Sequence, residues 1–148
     1  MKILLVNGSP HEYGCTRAAL DEIAKELKAQ NIDSEIFWLG LEPLAGCIGC
    51  GACRRDGANG CFRNDKVNEF ISLSDTADGF VFGTPVHWAS ASGAITSFMD
   101  RVFFAAGGKL RGKPQSLLKK TELFLRRLEH VANALPRDSL ALGNFCQR

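Results

Sequence analysis

The chain contains no apolar run long enough to cross a membrane. Its opening run, Lys2 to Val6, ends at Asn7, far short of the roughly 20 residues a spanning helix needs and too short for the core of a secretory signal. It also lacks a strong excess of either charge. Residues 1–115 carry net −1 and residues 116–148 net +3, which together make the +2 of the whole chain. Neither value supports a nucleic-acid-binding surface. Two nucleotide fingerprints are missing: no Gly-Lys-Ser/Thr occurs anywhere, and no G-x-G-x-x-G follows the first apolar run, which excludes a Walker loop and the dinucleotide signature. No catalytic triad or paired-carboxylate pattern stands out. A cytoplasmic location, with no membrane or nucleic-acid partner, is the expectation, and at 148 residues the chain is long enough for one substantial core. In a reducing compartment its six cysteines are expected to be free, metal-bound or redox-active.

What is present begins with MKILLVNGSPHEYGCTRAAL. Lys2–Val6 reads as a strand, Asn7-Gly8-Ser9-Pro10 breaks it, and Ala19, Leu20, Ile23, Ala24 and Leu27 mark one face of a helix from Thr16. A polar, glycine-containing loop that runs into a helix start presents unpaired N–H groups at the positive end of the helix dipole, a setting that favours a bound phosphate. Such a loop also serves merely to join strand to helix. Further along, Asp33–Leu39 reads as a second strand, and Asn64-Asp65 as the cap of a short helix to about Leu73. Ala77–Gly83 reads as a nearly all-apolar strand suited to the centre of a parallel sheet. Thr84–Ser92 reads as a loop, and a helix to about Phe104 follows, with Ile95, Phe98, Met99 and Val102 on one face. Strands alternating with helices predict a doubly wound α/β sheet.

Residues 40–63 alternate glycines with cysteines, and Cys47, Cys50, Cys53 and Cys61 give C-x2-C-x2-C-x7-C. Four thiols so close together can wrap one metal centre. A [4Fe–4S] cluster, tetrahedral zinc, a redox-active Cys50/Cys53 pair and unmetallated cysteines are the readings this spacing leaves open.

The segments VNGSPHEYGCT, CIGCGAC and GFVFGTPVHWASASGAITSFMDR together resemble the flavodoxin-like NAD(P)H-dependent FMN reductases, and within them the branch of the iron–sulfur flavoproteins. The resemblance covers residues 1 to about 115. It implies FMN as cofactor, NAD(P)H as electron donor and a small-molecule or protein acceptor. It implies that Ser9, His11, Cys15 and Thr16 hold the phosphate, that Pro85, Val86, His87 and Trp88 border the isoalloxazine ring, and that Cys47, Cys50, Cys53 and Cys61 hold a cluster. No residue is implied as acid or base, because the flavin carries the hydride chemistry.

After Gln115 the resemblance lapses. Leu118, Leu125, Leu128, Ala132 and Leu135 fall at helical spacing up to Pro136. This predicts a flavodoxin-like domain over 1–115 and an atypical helical tail over 116–148. The sheet is expected to be truncated, with strands in the order 2-1-3 and strands 4 and 5 lacking. The third strand would then be an open apolar edge, prone to pair with another chain, so a homo-oligomer, most simply a dimer, is expected.

Overall fold

The computed structural model describes residues 1–110 and 112–119, of which 116–119 are described by their backbone alone. Among the described residues, strands and α-helices follow in the order β1 (Lys2–Asn7), α1 (Cys15–Ala29), β2 (Asp33–Trp38), α2 (Lys66–Ser74), β3 (Gly79–Thr84), α3 (Gly93–Ala105) and β4 (Gln115–Lys119), with a 3-10 turn at Ala52–Arg54 between β2 and α2. All neighbouring strands are parallel, in the order β2-β1-β3-β4. Five of the six residues in β1 and five of six in β3 are buried, because helices cover both faces of the two central strands. The edge strand β2 alternates instead between exposed and more buried positions.

The two faces are packed differently. On one, Leu20 of α1, with Ile23, Ala24 and Leu27 beside it, covers Ile3 and Leu5 of β1 together with Ile36 and Val81. On the other, α2 and α3 close a larger core rich in phenylalanine. Phe70 of α2 is its hub, with ring centroids 5.2 Å from Phe98, 5.4 Å from Phe80 and 5.6 Å from Phe37. Pairs at these distances contribute about 0.5–1.5 kcal/mol each beyond the area they bury. Among the described residues no helix is long and apolar enough to cross a membrane.

The 2-1-3 order and the helices flanking it are as the sequence predicts. The expected loss of the fourth strand is corrected: Gln115–Lys119 is β4, paired in parallel with β3 from Phe80↔Gln115 to Thr84↔Lys119. Leu118 fits the helical spacing of the residues after it, but five residues cannot distinguish period 3.6 from period 2. The unpaired N–H and C=O row along the buried strand β3 settles the choice, since a chain passing beside it satisfies those groups only as a strand. With β1 on one side and β4 on the other, β3 is no edge, and the argument for a dimer that rested on it no longer applies. The expected tail helix from residue 120 onward, and the expected lack of a fifth strand, lie outside the described residues.

Replacing Phe70 with Ala is expected to lower unfolding stability by about 3–5 kcal/mol, since it empties a fully buried site among packed rings; urea denaturation measures it.

Candidate functional site

In a parallel sheet every strand ends at the same edge. The chain leaves β1 for β2 on one side, while β3 lies on the other, so the loops after β1 and β3 face each other across a switch point, where α/β proteins bind ligands. The two strand ends meet at two glycines. Gly8 N–H donates to the Gly83 carbonyl at 2.8 Å. A Cβ on Gly8 would stand 2.9 Å from Ile95 Cβ, and one on Gly83 would stand 2.9 Å from Thr16 Cγ2. Neither position has room for a side chain.

The loop after β1 is held by its own polar groups. Asn7, fully buried, accepts from Ser9 N–H at 3.1 Å through Oδ1 and donates from Nδ2 to the Glu12 carbonyl at 3.0 Å. Ser9 Oγ accepts His11 N–H at 3.1 Å, which leaves its own proton to donate. Trp38, at the end of β2, donates its indole N–H to the Ser9 carbonyl at 2.9 Å. Above this loop α1 begins at Cys15 with Gly14 as its N-cap. No side chain caps it, and its first turn holds no acidic residue. The first N–H groups of a helix lack intrahelical partners, and here no acidic side chain of the first turn neutralises the positive end they form.

The loop after β3 is closed at its base. Ser92 N–H donates to Thr84 Oγ1 at 3.1 Å, and the two hydroxyl oxygens lie 3.2 Å apart. Ser92 Oγ also lies 3.4 Å from the Gly8 carbonyl, and it caps α3 by accepting Ile95 N–H at 3.5 Å. An antiparallel bridge between Val86 and Ala91 narrows the loop further. Beyond that bridge His87 and Trp88 project at the tip, next to Ala89 in the left-handed region at φ 50°. Trp88 is 91% exposed, so it is not a core aromatic.

The cysteine segment leaves the same edge of the sheet after β2. Cys47 and Cys50 are exposed, and Cys53 and Cys61 are half-buried. All four line one pocket of ≈ 20 Å³, with Phe62, Arg101 and Phe104 among the other walls. Gly49 and Gly51, at φ 66° and 68°, turn the chain between the first three cysteines. Among the described residues no three His, Cys, Asp or Glu side chains are gathered closely enough to hold one metal ion. The shared pocket and the soft donor set fit a thiolate-bound centre; the present distances do not by themselves close one.

One wall of this pocket is an arginine that sequence reasoning missed. Arg101 on α3 is 2% exposed and grips both carboxylate oxygens of Asp65, at 2.6 and 3.0 Å. Asp65 in turn caps α2 by accepting Val67 N–H at 3.1 Å, as its place in the sequence predicts. Burial pulls the Arg101 pKa down, but hydrogen bonds and charge from Asp65 and Cys61 outweigh it and hold the pKa above the ordinary value. The signal was in the sequence: residue 101 stands three past Phe98, on the stripe that α3 buries. Asn7 gave a similar one, as a polar residue closing an apolar strand.

The predicted site residues thus fall into two groups. Ser9, His11, Cys15 and Thr16 come from one side of the switch point and Pro85, Val86, His87 and Trp88 from the other, while Cys47, Cys50, Cys53 and Cys61 share the separate thiol pocket.

Comparison with known proteins gives a family. The model described as NADPH-dependent FMN reductase matches residues 1–123. An iron–sulfur flavoprotein of Methanocaldococcus jannaschii is 32% identical over 101 residues, covering 68% of this chain and 51% of that protein. An iron–sulfur flavoprotein of Archaeoglobus fulgidus is 32% identical over 111 residues, covering 75% and 53%. The chain therefore spans about half the length of these curated relatives. Among solved structures, the NAD(P)H:quinone oxidoreductase from Methanothermobacter marburgensis superposes with a TM-score of 0.62 at 18% identity, covering 90% of this chain and 73% of that one, a likeness of fold.

Replacing Asn7 with Ala removes both of its loop hydrogen bonds. Stability is expected to fall by about 1–3 kcal/mol, with faster amide hydrogen exchange confined to residues 8–12.

Proposed function

Because the chain belongs to the NADPH-dependent FMN reductase family, we propose that it binds FMN at the β1/β3 switch point and passes electrons from NAD(P)H to an acceptor. The observation that carries this reading is the uncapped start of α1 above a loop already held in shape. A phosphate dianion suits such a helix end, through its N–H groups and its dipole. Cys15 and Thr16 supply backbone N–H groups, Ser9 and Thr16 hydroxyl protons, and His11 an exposed neighbour to the anion. Pro85, Val86, His87 and Trp88 would border the ring. The chemistry that FMN supplies when bound is acceptance of a hydride from the nicotinamide. The chain's own part is positional: Gly8 and Gly83 let Ile95 of α3 and Thr16 of α1 pack directly onto the two strand ends, and the Thr84–Ser92 pair keeps the second loop from spreading.

A second reading, an iron–sulfur flavoprotein carrying electrons between flavin and a cluster, is favoured by the four thiols lining one pocket. Cys47, Cys50, Cys53 and Cys61 would be its ligands, and the cluster would supply one-electron transfer. The two readings share the flavin site and differ in the acceptor.

Fluorescence titration with FMN and riboflavin tests the phosphate reading. The purified chain is expected to prefer FMN by about 10-fold or more, the worth of one charge-assisted hydrogen bond, and to oxidise NAD(P)H when FMN is present. Combining Ser9→Ala with Thr16→Val is expected to weaken FMN without changing riboflavin. Equal affinity for the two flavins would overturn the proposed phosphate site.

A further inference from the structure

Cys61 is held unlike the other three thiols of the pocket. Its N–H donates to Asn68 Oδ1 at 2.8 Å, and its carbonyl accepts Asn68 Nδ2 at 2.8 Å. Its Sγ accepts from Arg101 Nη2 at 3.3 Å. The described hydrogen bonds give the thiols of Cys47, Cys50 and Cys53 no such donor. Cys61 is thus fixed from α2 through its backbone and from α3 through its sulfur, while the other three sit on the turning segment 46–54.

Arg101 does more than touch Cys61. Nη1 lies 3.4 Å from the Ala45 carbonyl and Nη2 lies 3.4 Å from the Arg63 carbonyl. These two carbonyls stand just before Cys47 and just after Cys61, so one guanidinium joins both ends of the cysteine segment. Asp65 fixes the fork by its two-pronged contact, which a lysine ammonium cannot reproduce. Arg101 Nε is buried with no partner among the described residues, so part of the desolvation cost is not recovered there. Buried ion pairs are often replaceable by apolar side chains with no loss of stability. Core packing alone therefore accounts poorly for a guanidinium here, and the carbonyl and sulfur contacts account for it well.

We propose that Arg101 is the positioning residue of the thiol pocket: it ties residues 45 and 63 together and presents the Cys61 sulfur as a preset ligand on which Cys47, Cys50 and Cys53 close. This rests on reading the four cysteines as a metal centre. Partners that orient a ligand from behind typically change metal affinity by about 10–100-fold, and an N–H donor to a ligating sulfur also raises a cluster's reduction potential.

The test uses Co²⁺ as probe on the whole chain, reduced and kept anaerobic, with thiolate-to-cobalt absorbance reporting how many sulfurs bind. Wild type is expected to give a four-thiolate spectrum. In Arg101→Lys, affinity is expected to fall by about 10–100-fold and absorbance per cobalt by about a quarter, one sulfur of four. Arg101→Met combined with Asp65→Asn removes the ion pair without orphaning a charge and keeps a capping side chain at 65; the same loss is expected. Circular dichroism and FMN titration establish that each variant is folded. If folded variants bind Co²⁺ as wild type does, the role of Arg101 is refuted while the metal centre stands. If wild type shows no four-thiolate spectrum, the metal-centre reading fails, and the inference with it.

Discussion

The close approach of β1 and β3 at Gly8 and Gly83 is the constraint on which the rest of the molecule depends. The 2.8 Å hydrogen bond between them continues the sheet one step past the strand, to the point where both chains must turn away. Because neither residue has a Cβ, α1 and α3 can both descend onto this point, Thr16 and Leu20 against Gly83 and Ile95 against Gly8. Two helix starts are thereby brought to one place. One of them, α3, is capped by Ser92, which also reaches the Gly8 carbonyl. The other, α1, is left uncapped. The two helix starts thus differ in whether a side chain caps them.

A second centre of order lies on the α2/α3 side. The Arg101–Asp65 pair links two helices, and through Asp65 it also supplies the α2 cap. The cysteine segment, whose turns rely on left-handed glycines and whose first cysteines are exposed, has little apolar burial of its own. Arg101 and Asn68 bond its ends, and Arg54 lies over the Phe104 ring of α3. The two centres differ in physical kind: the switch point is a steric arrangement of backbone, whereas the thiol pocket is an electrostatic one, assembled around a single buried charge.

Local signals carried much of this. The strand–loop–helix start at 1–20, the Asp65 cap and the apolar faces of α2 and α3 were legible because each follows from a period or a capping preference within about fifteen residues. The four cysteines were legible as a group by spacing. Arg101 was not read as a partner of Asp65 and Cys61, since those contacts cross 36 and 40 residues of chain. Trp38 on the Ser9 carbonyl was missed for the same reason, at a separation of 29. Gln115–Lys119 was misread because a five-residue run holds too few apolar positions to define a period.

The amino-acid order alone determined the alternation of strands and helices, the family resemblance of residues 1–115, and which polar, glycine and cysteine residues were available for chemistry. These are properties of neighbours along the chain, where propensity and periodicity act. Only the tertiary structure decided that a fourth strand joins β3, that Gly8 and Gly83 touch, and that one arginine holds both ends of the cysteine segment. Each of these satisfies a hydrogen-bonding group or a steric limit created by a distant element, and no local pattern encodes a partner that folding alone brings near.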